Sequence, residues 1–436
     1  AIIGMGVTGR SCIRHLQNES LTVLDTRDNP ALVDSLPPHA AMSALTGVKS
    51  WDFRGYDRVI VSPGVSLDDP LVVAARRVDV RLSSDIDLFF DAVKAPVFAI
   101  TGTNGKSTVT SMAGELLKAA GVRVAIGGNL GDAALDLLAA DVDFYVLELS
   151  SFQIERMEIR PLAGAVVLNV TEDHIDRHGS LAVYAEVKRR LFKRSAVSAF
   201  NRADCQTRPV GCTPGRSISF GLDAPQAGTW GIRKKGDRAW FARGDDNLLP
   251  VRSLVLPGLH NQENFLAACA VLDDLSLSKD VLLHTAMTIN GLPHRCEFVR
   301  ECAGVRWYND SKATNVGATL AAVNGLASTL GTTGRIVLLA GGDGKGADFS
   351  PLRSLIPLLR AVVLYGRDAA LIDATLDDAV MTSRVADLPS AVQAAAALAD
   401  SGDCVLLAPA CASLDMFANY GERGRRFVEQ VEALPA

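Results

Sequence analysis

Lys106, Ser107 and Thr108 close the stretch Ile100-Thr101-Gly102-Thr103-Asn104-Gly105-Lys106-Ser107-Thr108. A lysine and two hydroxyls directly after a glycine-rich turn can hold a triphosphate. The glycines let backbone N–H groups close around the phosphates, and the start of a helix adds positive potential. The ammonium supplies a mobile charge, and a hydroxyl can join Mg²⁺. The loop is a variant: the glycine usual five residues before the Gly-Lys pair is Ile100 here, leaving Gly102 and Gly105 as its only glycines. In this context Gly102, Thr103, Asn104, Gly105, Lys106, Ser107 and Thr108 read as a nucleotide site.

Other residues with chemical potential stand at the ends of apolar runs. Glu148 ends Tyr145-Val146-Leu147, and Asn169 ends Val166-Val167-Leu168, followed by Thr171-Glu172-Asp173-His174-Ile175-Asp176. A carboxylate at a strand end facing a phosphate loop is a natural Mg²⁺ ligand. Lys188 sits among Val187, Leu191 and Phe192 in a helix-like run from Leu181. Spacing alone favours a surface lysine snorkelling over apolar neighbours, and His174 is equally readable as a structural histidine. Gly4, Gly6 and Gly9 form Gly-x-Gly-x-x-Gly between a strand and a helix, with Asp25 ending the next strand Leu21-Thr22-Val23-Leu24. That is the dinucleotide fingerprint, and alone it describes an NAD-dependent oxidoreductase. Thr26 and Arg27 directly after Asp25, and a segment too short for a full dinucleotide domain, argue instead for a pyrophosphate such as that of a nucleotide-sugar. Glycines serving only close helix–strand packing remain an alternative.

The elements that position these residues follow from pattern. The strand before the phosphate loop is Pro96–Ala99, and the helix after it begins at Val109. Further strands are expected at Val59–Val61, Val122–Ile126, Phe144–Leu149 and Ala163–Val170, with a small antiparallel excursion over 196–253. The last third repeats strand and turn at Ile336–Ala340, Ala361–Tyr365 and Cys404–Ala408. The fold class is α/β in three domains, each a mainly parallel sheet with helices: Rossmann-like at 1–84, a P-loop ATPase-like centre at 85–290, and Rossmann-like again at 291–436. The stretch from Arg81 to Asp85 is expected to be a connector. The 436 residues suit about three domains.

A formal charge of −5, with 48% hydrophobic and 21% charged residues, gives no reason to expect nucleic acid or a membrane as partner. No apolar run reaches the roughly 18 residues of a membrane span. The eight cysteines (Cys12, Cys205, Cys212, Cys269, Cys296, Cys302, Cys404 and Cys411) form no Cys-x-x-Cys pair, so reduced, mostly buried thiols in the cytoplasm are expected. The chain opens inside the strand-like run Ala1-Ile2-Ile3 without Met, and a few residues are expected before it.

Taken in order, the phosphate loop, Glu148-Leu149-Ser150-Ser151-Phe152-Gln153, Asn169 through His174, His260-Asn261-x-x-Asn264 and Leu292-Pro293-His294-Arg295 resemble the Mur ligase family. These are the ATP-dependent amide ligases of peptidoglycan precursor synthesis. Asn309 through Asn315, Gly341-Gly342-Asp343-Gly344-Lys345 and Pro409 through Asp415 resemble its D-glutamate-adding branch. The resemblance implies ATP, two Mg²⁺ ions, UDP-N-acetylmuramoyl-L-alanine and D-glutamate as ligands of a cytoplasmic monomer. It implies a uridine nucleotide near Gly6, Val7, Thr8, Asp25, Thr26, Arg27, Ser62 and Gly64, with Asn129 and His174 farther along the same substrate. Asn261, Asn264, Arg295 and Asp310 match residues around adenine, ribose and phosphate. Lys312, Thr314, Lys345, Ser413 and Tyr420 match those around D-glutamate. Ser107, Glu148, His174 and a carbamylated Lys188 match the metal ligands, and Lys106, His174 and Lys188 the catalytic set. Carbamylation requires a neutral amine, hence a lysine whose pKa is lowered.

The expected reaction makes an acyl phosphate from the substrate carboxylate and ATP, which the amine of D-glutamate then attacks. Three substrates on three domains imply closure, about hinges near 81–90 and 288–296. The rivals are a sister ligase adding another amino acid, a folylpolyglutamate synthetase, the oxidoreductase above, and a non-catalytic ATP-binding regulator.

Overall fold

The computed structural model describes residues 1–211, 215–327, 330 and 334–435, so Cys212 lies outside the described residues. Three sheets follow one another along the chain. The first has five strands in the spatial order Met42–Leu45, Leu21–Leu24, Ile2–Ile3, Arg58–Val61 and Arg81–Ser83, all parallel. The order reverses between Ile2–Ile3 and Arg58–Val61, and the turn Gly4–Gly9 opens at that switch point.

The second sheet has nine strands. Val97–Thr101 lies between Phe144–Glu148 and Leu162–Val167, and Val124–Gly128 forms one edge. All five residues of Val97–Thr101 are buried, as a parallel strand covered on both faces requires. On the other side Ser195–Asn201, Arg216–Phe220 and Trp230–Lys235 continue in parallel, and Arg238–Arg243 and Asp246–Pro250 return antiparallel. The third sheet runs Glu297–Cys302, Val305–Asn309, Cys404–Leu407, Ile336–Ala340, Leu359–Leu364 and Met381–Arg384, with only the first strand antiparallel.

Several boundaries differ from the sequence pattern: the helix after the phosphate loop begins at Lys106 rather than Val109, its strand runs Val97–Thr101, and the strand expected to reach Val170 stops at Val167. The strand expected at Val122–Ile126 runs Val124–Gly128, because Val122 N donates to Leu117 O at 3.0 Å and stays with the preceding helix end. The stretch Arg81–Asp85 is not a connector. Arg81–Ser83 adds an edge strand to the first sheet, and Ser84 caps the helix Asp85–Ala92 in a reciprocal box with Asp87. That helix places Ile86, Leu88 and Phe89 in one apolar cluster with Met5, Cys12 and Ile13 of the first sheet's side and Val97, Ala99 and Tyr145 of the second. Of the seven described cysteines, Cys12, Cys269, Cys404 and Cys411 are buried, and all seven carry free thiols.

The first turn separates its glycines by use. A Cβ on Gly9 would collide with the Gly4 carbonyl, whereas one on Gly6 or Gly64 would meet nothing within 4 Å. Gly9 is thus a packing glycine, and Gly6 and Gly64 leave room for something to approach. Gly9→Ala is expected to destabilise the protein by about 1–3 kcal/mol, the usual cost of overpacking, while Gly64→Ala should stay near neutral. Urea denaturation of both variants checks this.

Candidate active site

The phosphate loop leaves Val97–Thr101 and enters the helix Lys106–Ala119. Gly105 lies at φ +81°, and a Cβ there would stand 2.5 Å from Asn264 Oδ1, so backbone and neighbour both select glycine. Asn169, past the end of the adjacent strand, holds the loop through both backbone polar groups of one residue. Its Oδ1 accepts from Asn104 N at 2.8 Å, and its Nδ2 donates to Asn104 O at 3.1 Å. Thr103 N donates to Asn169 O at 2.9 Å, and Thr103 Oγ1 accepts from Thr171 N at 3.0 Å. The loop is therefore shaped by its neighbours.

Two lysines meet on one oxygen. Lys106 Nζ donates to Gly102 O at 2.9 Å and to Thr103 O at 2.7 Å; Lys188 Nζ donates to the same Gly102 O at 2.9 Å. Lys188 is 1% exposed, with its ammonium 4.3 Å from the ring centroid of Tyr184. The surface-lysine reading of its spacing is thereby corrected: the helix Leu181–Arg189 docks Lys188 inward. Burial, then repulsion from Lys106, pushes its pKa well below the ordinary lysine value. Burial lowers Lys106 as well, against the pull of Glu148.

Glu148 is 1% exposed and accepts from Asn129 Nδ2 at 2.7 Å through Oε1, while its buried Oε2 has no hydrogen-bond partner. Burial alone would raise its pKa, but Lys106, Ser107 and Asn129 more than offset that and leave it lowered. A buried carboxylate oxygen without a partner, at the carboxyl end of a strand beside Ser107, fits a divalent cation. Among the described residues no group of three or more His, Cys, Asp or Glu gathers to hold a metal. Mg²⁺ carried largely by phosphate and water needs no such group. His174, at φ +55°, stacks edge-on with Phe152 at 4.8 Å and lies 3.7 Å from Asp173 Oδ2.

The third sheet presents the loops after Val305–Asn309, Ile336–Ala340 and Cys404–Leu407 to this cleft. Arg295 Nη2 donates to Ser107 Oγ at 2.8 Å. Lys345 Nζ pairs with Asp173 Oδ1 at 3.2 Å, and Asn315 Nδ2 donates to Asn104 Oδ1 at 3.2 Å and to Asp173 Oδ2 at 3.3 Å. Burial, with help from Arg295, lowers Lys312 to about 8, and its ammonium lies 3.8 Å from the Tyr420 ring centroid. Burial lifts Asp310 to about 7 against Arg295. Asn104, Gly105, Thr108, Asn261, Asn264, Arg295, Asp310 and Lys312 line a cavity of about 270 Å³. Ser413 is buried beside this loop cluster, and Thr314 N donates to Lys312 O at 2.8 Å.

Sequence reasoning passed over two side chains here. Arg423, fully buried, donates to Ser311 Oγ at 3.0 Å, Ser311 O at 2.8 Å and Cys411 O at 3.2 Å, tying the Lys312 loop to the Ser413 loop. No local spacing announces it. Tyr184 was findable, since it stands four residues before Lys188 on one helix face.

The first-sheet residues gather at their own edge. Asp25 accepts from Met5 N at 2.9 Å, Arg27 N at 3.0 Å, Arg27 Nε at 2.9 Å and Arg27 Nη2 at 2.7 Å. With both oxygens engaged, this acid is not free for the ribose hydroxyls of a dinucleotide; it shapes the turn and aims Arg27. Thr26 Oγ1 donates to Asp69 Oδ2 at 3.1 Å, and Ser62 Oγ to Gly4 O at 3.2 Å. Val7 is exposed and Thr8 half-buried on the open side of the turn. Arg156 and Arg177 of the second sheet's helices both donate to Val65 O, bringing this edge against the Phe152–His174 pair.

Comparison with known proteins matches each sheet in turn. Residues 1–84 fit the description Mur ligase MurD-like, N-terminal domain; residues 100–272 fit Mur ligase middle domain; residues 294–411 fit Mur ligase, glutamate ligase domain. The UDP-N-acetylmuramoylalanine--D-glutamate ligase of Pseudomonas aeruginosa is 48% identical over 438 residues, covering 99% of this chain and 97% of its own. The chain belongs to the Mur ligase family. The Legionella pneumophila protein of the same name is 42% identical, covering 99% of this chain and 98% of its own. Among solved structures, the UDP-N-acetylmuramate-alanine ligase MurC of Thermotoga maritima superposes with TM-score 0.66 at 19% identity, over 99% of this chain and 98% of its own. MurF ligase from the same organism, in complex with ADP, gives 0.61 at 18% identity over 87% and 88%. These two share the fold.

Lys188→Ala is expected to lose nearly all turnover and regain part of it when a short carboxylate such as acetate is added, because the buried site then admits an external anion. Phosphate release with and without added carboxylate checks this; full activity without rescue would remove Lys188 from the catalytic set.

Proposed function

We propose that this Mur ligase family member joins D-glutamate to UDP-N-acetylmuramoyl-L-alanine at the expense of ATP, a cytoplasmic step of peptidoglycan precursor synthesis carried out by a monomer. The first unit, residues 1–84, would hold the uridine nucleotide, residues 85–290 ATP, and residues 291–436 D-glutamate. The observation that carries the reading is the charge of the cleft. The ammonium of Lys312 is felt by Arg295, Lys106 and Lys345, with Glu148 as the anion acting on it. Such an excess of cations suits a triphosphate together with two carboxylate substrates. The names of the 42–48% identical relatives supply the specific substrates.

Each step then has residues to perform it. Two anions, the alanyl carboxylate and the γ-phosphate, must meet, so the main work is charge neutralisation and in-line positioning. Lys106 would swing from the Gly102 and Thr103 carbonyls onto the phosphates. Ser107, Glu148, His174 and the carbamate of Lys188 would hold Mg²⁺, which supplies further charge neutralisation. The lowered pKa of Lys188 favours the neutral amine that carbamate formation needs. Asn261, Asn264, Arg295 and Asp310 would seat the nucleoside and phosphates. Lys312, Lys345, Thr314 and Ser413, with Tyr420 under the Lys312 ammonium, would receive the two carboxylates of D-glutamate. Its amine attacks the acyl carbon, phosphate leaves, and an amide remains.

The direct test is phosphate release with ATP, Mg²⁺ and UDP-N-acetylmuramoyl-L-alanine, with and without D-glutamate, and with L-glutamate and L-lysine as controls. Release that requires both D-glutamate and the uridine substrate is expected. Release with a different amino acid would move the specificity, and none with any acceptor would overturn the reading.

The Lys312 ammonium adds a pH signature. Its charge is fully present below about 8 and is lost as pH rises through that value. kcat/KM for D-glutamate should therefore fall on the alkaline side, and Lys312→Arg, which stays charged, should move that limb upward. A pH profile measured on both proteins checks it.

A further inference from the structure

Asn309, the last residue of Val305–Asn309, is fully buried and spends both ends of its amide. Its Nδ2 lies 2.8 Å from His294 Nδ1, 3.2 Å from Glu297 Oε2 and 3.4 Å from Gly424 O; its Oδ1 accepts from Ser311 N at 3.1 Å. The amide must donate on that side, so His294 Nδ1 is the acceptor. His294 is held by its backbone too. It sits at φ +62°, its N donates to Glu297 Oε2 at 2.8 Å, and its carbonyl accepts from Lys312 N at 3.2 Å.

The helix Tyr420–Glu432 closes the arrangement. A Cβ on Gly424 would collide with His294 Nδ1 and stand 2.8 Å from Cγ and 2.9 Å from Cε1. Tyr420, one turn earlier on that face, lies under the Lys312 ammonium. One helix face thus bears on both ends of Lys312: the ring of Tyr420 takes its charge, and Gly424 leaves room for the imidazole of the residue whose carbonyl accepts from the Lys312 backbone N–H.

We infer that His294, held by Asn309 and seated on Gly424, is the positioning residue for Lys312 and sets the affinity for the amino-acid substrate. This rests on the reading of Lys312 as a D-glutamate ligand. His294 touches no substrate; it acts through the lysine. Glycine in the middle of a helix is locally unfavourable, so propensity does not account for Gly424, whereas the imidazole contact does.

The test compares Gly424→Ala, His294→Ala and His294→Asn with the unsubstituted protein. Asparagine can put an oxygen where Nδ1 accepts. Gly424→Ala and His294→Ala should raise KM for D-glutamate about tenfold, the scale of one lost buried hydrogen bond. KM for ATP and for UDP-N-acetylmuramoyl-L-alanine should stay within about twofold, and His294→Asn should restore most of the D-glutamate affinity. The double variant Gly424→Ala/His294→Ala should be no worse than His294→Ala, since the collision is gone. An unchanged D-glutamate KM in both single variants would overturn the inference. So would a rise shared by all three substrates together with a lower melting temperature, which marks a structural role only. Should Gly424→Ala fail to fold, the His294→Ala and His294→Asn pair decides. If the unsubstituted protein uses another amino acid, the D-glutamate reading fails separately, and the KM for that amino acid becomes the quantity compared.

Discussion

Two lysine side chains donate to the single carbonyl of Gly102, and one of them, Lys188, is buried. Like charges at such separation in a medium poorer than water cost several kcal/mol unless one is neutral or anions come close. Both remedies are built in. Lys188 is pushed toward its neutral amine, and Glu148 stands nearby with one oxygen unspent. The strand order makes the conflict possible: Val97–Thr101 is the central neighbour of both Phe144–Glu148 and Leu162–Val167, so phosphate loop, acid and the Asn169 turn open on one edge. The helix Leu181–Arg189 then has only to dock its Tyr184–Lys188 face against that edge.

Cations on the facing sheet are held with comparable care. Arg423, buried, spends its guanidinium on backbone and hydroxyl oxygens of two loops. Those loops carry Lys312 and Ser413. A buried guanidinium satisfied by carbonyls is a rigid spacer, and rigidity is what a site for a small dicarboxylate needs.

The phosphate loop and Glu148 were legible because their chemistry is local: spacing, glycines and a strand end carry the signal. The sheets were legible too, since fully buried parallel strands read as continuous apolar runs. Lys188 was misjudged from spacing because its burial is decided by where its helix docks, not by its neighbours in sequence. Arg81–Ser83 was missed because a three-residue edge strand has too few residues for a pattern. The Ser84-x-x-Asp87 box ahead of Ile86, Leu88 and Phe89 was the available signal that a helix follows. Arg423 and Asn309 depend on contacts across more than a hundred residues, or on a helix passing a loop, and no window of sequence contains them.

The interfaces between the sheets differ in kind. The first two sheets share one apolar cluster running from Ile2 and Met5 through Phe89 to Tyr145 and Leu191. Separating them would expose that surface, at about 25 cal/mol for each Å². The third sheet has its own cores, distinct from those of the second. The contacts that bring it to the phosphate loop are polar: Arg295 with Ser107, Asn315 with Asn104 and Asp173, and Lys345 with Asp173. Such contacts exchange with water at little net cost. A ligand that bridges the two sheets can therefore decide how closely they sit. Of the two stretches expected as hinges, 289–296 carry no regular helix or strand, whereas 81–90 hold an edge strand and a packed helix. Closure of the third sheet on the other two would bring the cations of its loops with it.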